Sequence, residues 1–448
     1  MKKRSSIIPV MLVAGLLLGA LTAHADEEIS AFDRLTIEHG LSQSTVQAIL
    51  QDREGFMWFG TMDGLNRFDG YNFVVFRHDP ERPATTLADN DIRSLYEDNR
   101  GGIWVATAGG GLCRYDKSTG EFEQFRHDPS DPNALSGGEV TVMFEDSRRS
   151  FWVGTAKGLN RYNASTNTFT CFRYVEREGS PESNNGINCI YEDHEGSVWF
   201  GTNAGLKKYD LEKGTFRSYD ASGAPGTRLS TQKITAMLGI DSGRIWVGTE
   251  NGLYLLNLGA GAIRRYTETE SGFSRLSGNR ITFLEPDGEG GMWVGSHRGL
   301  DHYDPKIDGF VRHANRTEPQ AGDQQSDFTA ILRDGGGTLW LLSSDKTLYS
   351  FDRHSGSFVS YGSGVSHRHR LTYNRVNCLY EDRSGTVWFG TAGGGLSKLS
   401  RGKLKFGMLG NRSAEVNELQ NYSVTALAQG PDGRIWIGTA EDGLARYD

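Results

Sequence analysis

The nine tryptophans of this 448-residue chain are evenly spaced, and this spacing constrains the fold more than any other feature. Successive tryptophans lie 46, 48, 47, 47, 47, 47, 48 and 48 residues apart. They are Trp58, Trp104, Trp152, Trp199, Trp246, Trp293, Trp340, Trp388 and Trp436. Such regularity in a rare residue indicates nine copies of one structural unit.

Each tryptophan belongs to a longer pattern. An Asp lies six positions before the Trp in seven copies, and a Gly lies three positions before it in eight, with Arg149 as the exception. Thr or Ser follows the Trp by three positions in all nine copies, and Gly-Leu comes next in eight. Asp-x-x-Gly predicts a tight turn, because Asp bonds to nearby backbone and Gly adopts a positive φ. The Trp then begins a strand.

Each unit is predicted to contain four short strands. In the first unit they cover residues 46–50, 57–61, 65–68 and 73–76. Four strands in about 47 residues are typical of a β-propeller blade, so the predicted fold class is all-β. A linear solenoid is the alternative, but no 3.6-residue periodicity lies between the tryptophans. The 58 glycines and only 11 prolines agree with many tight turns.

The chain begins out of phase with its repeats. Residues 32–37 (Phe-Asp-Arg-Leu-Thr-Ile) resemble the fourth strand of a unit, and such a strand could complete the last blade of a ring and cover two sheet edges. The unit around Trp340 departs from the pattern at Leu342 and Thr347. We therefore predict a closed seven-bladed propeller over residues 26–353 and, over residues 354–448, two further blades of a truncated second propeller. The alternative is a single nine-bladed ring, outside the usual four to eight blades.

The N-terminus has the pattern of an export signal. Basic residues 2–4, an apolar run over residues 7–21 and Ala23-His24-Ala25 predict a signal peptide over residues 1–25 and a periplasmic location. An uncleaved anchor, the alternative, needs about 20 apolar residues. Cleavage changes the net charge from −8 to −11, which argues against nucleic acid or an anionic membrane surface as a partner.

We interpret the cysteines as small apolar strand residues rather than disulfides; they are Cys113, Cys171, Cys189 and Cys378.

The repeated motif resembles a known family. Residues 193–209 match Asp-x-x-Gly-x-x-Trp-x-Gly-Thr-x-x-Gly-Leu-x-x-Tyr, the pattern of the two-component regulator propeller repeat. The opening residues 32–42 resemble the mature start of periplasmic sensors whose propellers precede a membrane span and a histidine kinase or diguanylate cyclase. The resemblance implies a periplasmic ligand-binding sensor module of a transmembrane signalling protein. It also implies that this chain is not an enzyme, and that the membrane span and output domain belong to a missing C-terminal part.

The candidate site is predicted where the repeats vary. In a propeller, the loops between second and third strands and the loops joining successive blades open onto one face around the channel. Their mixed donors and acceptors suit a small-molecule or oligosaccharide ligand, and two arginines favour an anionic one. The candidate ligand-binding residues are Asp63, Lys157, Asn203, Glu250, Asn279, Arg280, His297 and Arg298. For any one of them, an ordinary solvated loop tip is the alternative.

Two other function classes stay open. A propeller lyase or hydrolase acting on a glycan or cyclic substrate would rest on His297 with Glu250, and a protein-interaction platform or a homodimer needs neither residue. We interpret the His-Asp pairs in residues 77–80 and 126–129 as turns, and the His-Arg-His-Arg run at 367–370 as a flexible connector rather than a metal site. No catalytic residue, metal or cofactor is predicted, since nucleophile-elbow, phosphate-loop, zinc and nucleotide patterns are missing from the sequence.

Overall fold

A computed structural model describes most of the repeat region. It covers residues 32–172, 185–210, 213–219, 229–313, 327–353, 355–361, 371, 375–400, 424–430, 434–439 and 444–447. The predicted signal peptide at 1–25 and the run at 367–370 lie outside these residues. The chain divides into two compact units, residues 1–399 and 400–448.

The first unit is a ring of eight blades, each an antiparallel sheet of four strands. Blades one to four consist of β2 (Val46–Gln51), β3 (Met57–Thr61), β4 (Gly64–Phe68) and β5 (Phe73–Phe76); β6 (Ile92–Glu97), β7 (Ile103–Thr107), β8 (Leu112–Asp116) and β9 (Glu121–Phe125); β10 (Val140–Glu145), β11 (Phe151–Thr155), β12 (Gly158–Asn163) and β13 (Thr168–Phe172); and β14 (Ile187–Glu192), β15 (Val198–Thr202), β16 (Gly205–Asp210) and β17 (Thr215–Ser218).

Blades five to eight continue the pattern. They consist of β18 (Ile234–Asp241), β19 (Arg244–Thr249), β20 (Gly252–Asn257) and β21 (Ala262–Tyr266); β22 (Ile281–Pro286), β23 (Met292–Ser296), β24 (Gly299–Asp304) and β25 (Gly309–His313); β26 (Phe328–Arg333), β27 (Leu339–Ser343), β28 (Leu348–Asp352) and β29 (Ser357–Ser360); and β30 (Val376–Glu381), β31 (Val387–Thr391) and β32 (Leu396–Leu399) with β1 (Asp33–Leu35). Short 3-10 turns occur at Ile37–His39 and Gly272–Ser274.

The predicted Asp-x-x-Gly turn is present and is tied to the tryptophan. In blade one, the Asp52 N–H donates to the carbonyl of Phe56, and the Gly55 N–H donates to the carbonyl of Asp52. Asp52 Oδ2 accepts a hydrogen bond of 2.8 Å from Trp58 Nε1. Asp52 Oδ1 accepts from the Glu54 and Phe56 N–H groups, both at 3.0 Å. The carboxylate therefore closes the turn and also satisfies the one polar atom of a fully buried indole.

The core of the ring lies between blades, because second strands such as β3, β7 and β11 are buried along their whole length. The ring of Trp58 packs 5.4 Å from that of Tyr115 in the next blade. Close approach of neighbouring sheets depends on glycine: a Cβ on Gly60 would lie 2.6 Å from Ile92 Cγ2 of blade two. In the Trp-x-Gly-Thr motif, the Trp thus fills the space between blades, and the Gly leaves room for the first strand of the next blade.

The seven-plus-two partition is wrong, since the ring has eight blades. Strand β1 does not complete the blade of Trp340; it pairs with β32 of the blade of Trp388, with Arg34 opposite Ser397. Blade seven already has β29 as its fourth strand, paired with β28. Phe358 in β29 is buried and lies 4.7 Å from Phe351 by ring centroid. The strand predicted to open a second propeller therefore fills the core of blade seven.

Blade seven departs from the repeat for a packing reason. Leu342, where most repeats have Gly, is 3% exposed in a cluster with Phe32, Val376 and Phe389. The leucine side chain, larger than glycine, fills space between blades seven and eight. Leu342 therefore marks an interface with a further blade, and the prediction that it marks the end of the ring is wrong.

The ring closes between blades eight and one by the same contacts that join other blades. Trp388 packs 5.4 Å from Phe59, as Trp58 packs on its neighbour. Arg383 donates to the carbonyls of Asp52 and Arg53, just as Arg53 donates to the carbonyls of Asp98 and Asn99 in blade two. The junction of blades eight and one therefore has the same kinds of contact as the other blade-to-blade interfaces.

The second unit holds the repeat of Trp436. It contains an antiparallel sheet of β33 (Val424–Gln429), β34 (Ile435–Thr439) and β35 (Leu444–Tyr447). This repeat is not a ninth member of the ring, so the nine-bladed alternative is also wrong.

Candidate functional site

The two sets of variable loops meet at one end of the channel. The first strands of successive blades contact one another and line this channel. In seven of the eight blades, the N–H of the residue after the second strand donates to the carbonyl of the residue just before the first strand; for example, the His297 N–H donates to the Arg280 carbonyl at 3.1 Å. We call the residues of these two loop sets the channel rim. All eight predicted site residues lie on it.

Blade six contributes the densest cluster of the channel rim. Arg298 Nη1 lies 2.8 Å from Glu268 Oε2, and Asn279 Nδ2 donates to Glu268 Oε1 at 3.2 Å. Arg280 Nη2 lies 2.7 Å from Asp327 Oδ2 at the start of blade seven. Each guanidinium therefore already has a carboxylate partner. About half of each arginine side chain is exposed, and one ion pair leaves further N–H donors for a ligand.

Blades one and five place their candidates in other ion pairs of the channel rim. Asp63 Oδ2 lies 3.1 Å from Arg77 Nη2. Glu250 Oε1 lies 3.0 Å from Lys233 Nζ. Both pairs are roughly half exposed, so each contributes little to folding and can exchange its partner for a ligand group.

Blades three and four hold the two remaining candidates. Lys157 is exposed and its side chain forms no ion pair with the residues that the structure describes. Asn203 Oδ1 accepts a hydrogen bond of 3.0 Å from Asn188 Nδ2 in the same blade. The eight candidates thus share one face but sit in separate polar clusters, with only blade six combining several of them.

The proposed catalytic pairing gains no support from this arrangement. His297 Nδ1 accepts a long hydrogen bond of 3.3 Å from the Arg280 N–H, while Glu250 is engaged by Lys233 in another blade. The two side chains therefore have different partners.

The His-Asp pairs form turns, as the sequence predicts. His78 Nδ1 is 2.7 Å from the Leu87 carbonyl, and His127 Nδ1 is 2.6 Å from the Leu135 carbonyl. Asp79 Oδ1 accepts from the Glu81 N–H at 2.9 Å.

Among the described residues, no group of three or more His, Cys, Asp or Glu side chains is arranged to hold a metal, and all four cysteines are free thiols.

A pocket on the opposite face contains none of the predicted site residues. It has a volume of about 420 Å³ between blades two and three, where the Asp-x-x-Gly turns meet the turns between third and fourth strands. We call it the interblade pocket. Its charged lining residues are Asp98, Arg100, Arg114, Glu145, Arg149 and Arg161. The signal in the sequence was Arg149, the one residue that replaces the glycine three positions before a tryptophan.

Comparison with known proteins agrees with the repeat pattern. The family model described as two component regulator propeller matches five segments, residues 40–63, 86–109, 181–204, 370–393 and 418–441. The chain carries two-component regulator propeller repeats. The matches fall in blades one, two, four and eight and in the second unit, and each spans a first strand, its turn and a second strand. The predicted family resemblance is confirmed.

Individual relatives of these repeats are distant or partial. Histidine kinase P4 of Formosa agariphila is 45% identical over 62 residues, which cover 14% of this chain and 4% of the kinase. The extracellular domain assigned to the hybrid two component system BT3049 of B. thetaiotaomicron is 21% identical, with a TM-score of 0.54, over 93% of this chain and 48% of that one. The Dos1 propeller is 11% identical, with a TM-score of 0.54, over 84% and 95%. The two solved structures show the propeller fold alone.

The chain spans about half the length of that extracellular domain. Within the described residues, no helix combines the length and apolar character needed to cross a bilayer.

Proposed function

We propose that this propeller is the exported ligand-sensing module of a two-component signalling protein and that the channel rim binds its ligand. The observation that carries the proposal is the set of five repeat matches, because they cover the blades themselves. The histidine kinase segment and the fold of an extracellular two-component domain support the same reading. The N-terminal export pattern supports a periplasmic location.

The rim chemistry favours a hydroxylated, acidic ligand. Arg280 and Arg298 are half exposed, Lys157 is exposed, and Asn203 and Asn279 add amide groups. Guanidinium and amide groups can hold carboxylate or sulfate together with sugar hydroxyls. A bound carboxylate would take over donors of Arg280 and Arg298 that Asp327 and Glu268 leave unused.

The test is calorimetric titration of the purified propeller with trigalacturonate. Replacing Arg280 and Arg298 together by Ala should weaken binding by about 1.5 to 3 kcal/mol for each charged hydrogen bond lost. The melting temperature should hardly change, since exposed ion pairs contribute at most about 1 kcal/mol each. Arg264→Ala is the matched control, because Arg264 forms a similar half-exposed pair with Asp308 away from the rim. Unchanged affinity in the double variant would remove blade six from the site.

A further inference from the structure

We propose that the interblade pocket binds a small oxyanion, a carboxylate, sulfate or phosphate group, through a cluster of arginines. This site lies on the face opposite the channel rim and does not depend on the function proposed for that rim. The interface that holds it differs in two residues from equivalent interfaces of the same ring.

At two other interfaces of the ring, an ion pair lies in the corresponding space. Between blades one and two, Lys117 Nζ lies 3.1 Å from Glu54 Oε1 and 3.5 Å from Asp52 Oδ2. Between blades six and seven, Arg353 Nη1 lies 3.5 Å from Glu289 Oε1. In both cases a base in the turn after the third strand reaches across to an acid in the Asp-x-x-Gly turn of the preceding blade.

Between blades two and three both partners are replaced. Ala164 stands where blade two has Lys117, six residues after the glycine that begins the third strand. Arg100 stands where blade one has Glu54, four residues before the tryptophan. A short side chain in place of a long one leaves the space open, and an arginine in place of a glutamate reverses its charge. The result is the 420 Å³ pocket, which both residues line.

Two of the four arginines are held in place by the blades. Arg114 lies 5.5 Å over the ring of Trp104 and 3.8 Å from Asp98 Oδ2. Arg161 lies 5.8 Å over the ring of Trp152 and donates to the Tyr209 hydroxyl at 3.1 Å. Stacking fixes the plane of each guanidinium while leaving other N–H groups available, which reduces the entropy lost on binding an anion.

The other two arginines, Arg100 and Arg149, are exposed to solvent. Within the part of the chain that the structure describes, the side chains of Arg100 and Arg149 form no hydrogen bond or ion pair. Arg149 also has a φ of 66°, at a turn position where Gly55, Gly101 and Gly196 have positive φ. A long side chain in this left-handed conformation is disfavoured relative to glycine, and such strain concentrates at functional sites.

The two carboxylates in the pocket are already engaged. Asp98 Oδ1 accepts from the Gly102 N–H at 2.8 Å, and Asp98 Oδ2 accepts from Trp104 Nε1 at 2.8 Å. Glu145 Oε2 accepts from the Asn99 N–H at 2.8 Å, and burial raises the pKa of Glu145. Four arginines against two committed carboxylates leave excess positive charge in a chain of net charge −8. Among the lining residues that the structure describes, four guanidinium groups thus outnumber two carboxylates.

The remaining lining indicates a ligand with hydroxyl groups. Ser150 and Thr170 offer hydroxyls, and Asn163 offers its amide nitrogen, while Asn163 Oδ1 accepts from the Ser165 hydroxyl at 2.8 Å. The volume falls in the range of small-molecule sites, about 300 to 1,000 Å³. An acidic sugar unit and a free inorganic oxyanion share the chemistry that these arginines recognise.

The test uses sodium sulfate and sodium glucuronate as probes, titrated calorimetrically at constant ionic strength, with glucose as the uncharged control. The wild-type chain should bind both anions and not glucose. Arg149→Gly should weaken sulfate binding by about tenfold or more, the loss expected for one charge-assisted hydrogen bond. Its melting temperature without ligand should equal or exceed that of the wild type, because glycine accepts the positive φ. Arg100→Ala should weaken binding similarly.

Arg148→Ala is the matched control, since Arg148 is exposed beside Arg149 but does not line the pocket. This variant should bind sulfate like the wild type. The Arg280/Arg298 double variant should keep the binding event that Arg149→Gly and Arg100→Ala weaken, which separates this site from the channel rim. Tighter binding of glucuronate than of sulfate would identify a hydroxylated acid as the ligand, and the reverse would identify a free oxyanion. Wild-type affinity in both Arg149→Gly and Arg100→Ala, or no binding of either anion, would overturn the proposal.

Discussion

At the scale of single residues, one carboxylate links turn and core in most blades. Asp193 Oδ1 accepts from two turn N–H groups, and its Oδ2 accepts from Trp199 Nε1 at 2.8 Å. Blade six uses the acid differently, because Asp287 Oδ2 lies 2.8 Å from His302 Nε2 and the buried Trp293 Nε1 has no partner among the described residues. The sequence predicts the turn, whereas the indole bond depends on how the second strand packs.

A buried aspartate provides a residue-scale test. Asp301 is fully buried, and its two oxygens accept from the N–H and hydroxyl of Ser277. Desolvation raises the pKa of Asp301 to about 6, although the bonds from Ser277 oppose this. Asn66 and Asn160 occupy the same place in blades one and three. Each accepts the N–H of a serine 24 residues earlier on Oδ1, as Asp301 accepts that of Ser277, but its Nδ2 donates to the serine hydroxyl.

We expect Asp301→Asn to stabilise the protein at neutral pH. The folded pKa lies above the unfolded value, so the native state holds the proton more tightly and wild-type stability falls as pH rises from about 4 to 6. The asparagine has no such dependence, so the gain at pH 7.5 should reach about 2 to 3 kcal/mol and shrink at pH 4. Urea unfolding of both proteins at both pH values would measure it. A difference that does not change with pH would contradict the assignment.

At the scale of elements, fourth strands share one sequence pattern, and only their packing shows which blade each one completes. Residues 32–37 and 357–361 both alternate like the last strand of a blade. In the ring, Phe32 lies 5.8 Å from Tyr361 and 5.5 Å from Phe389, so it fills the space between blades seven and eight. No local property of either strand decides which blade it completes.

Replacing Phe32 by Ala tests this placement. Removing a buried aromatic ring should lower the free energy of unfolding by about 3 to 5 kcal/mol. Ile37→Ala, five residues away at a position that is 59% exposed, is the control and should change it by less than about 0.5 kcal/mol. Equal effects of the two substitutions on the urea midpoint would show that the N-terminal strand does not close the ring.

At the scale of the whole molecule, the interface that closes the ring, between blades eight and one, resembles the other interfaces between blades. Asn377 Nδ2 of blade eight donates to the Val46 carbonyl of blade one at 3.1 Å, as Asn188 Nδ2 of blade four donates to the Ile234 carbonyl of blade five at 2.9 Å. Because every blade has two neighbours, no sheet face of the ring is left unpacked. Stability therefore depends on the complete set of blades.

The expected consequence concerns two fragments. Residues 26–399 should melt in one cooperative transition, because they contain all eight blades and the strand that completes the last one. Residues 26–355 lack β29 and blade eight, so they expose the faces of blades one and seven and should melt at a clearly lower temperature or aggregate. Circular dichroism melts of both fragments would decide. Equal melting temperatures would restore a seven-bladed ring.

The sequence by itself determined the repeat, the four-stranded blade, the Asp-x-x-Gly turn and the face on which the variable loops meet. These features are local, since each follows from spacing and turn chemistry within about 47 residues. The tertiary structure decided the rest. Blade number depends on the angle and packing between sheets, which Leu342 and Phe32 set through contacts far apart in the chain. The ion pairs of the rim and the arginines of the interblade pocket likewise join different blades, so only the closed ring shows which charges are paired and which are left for a ligand.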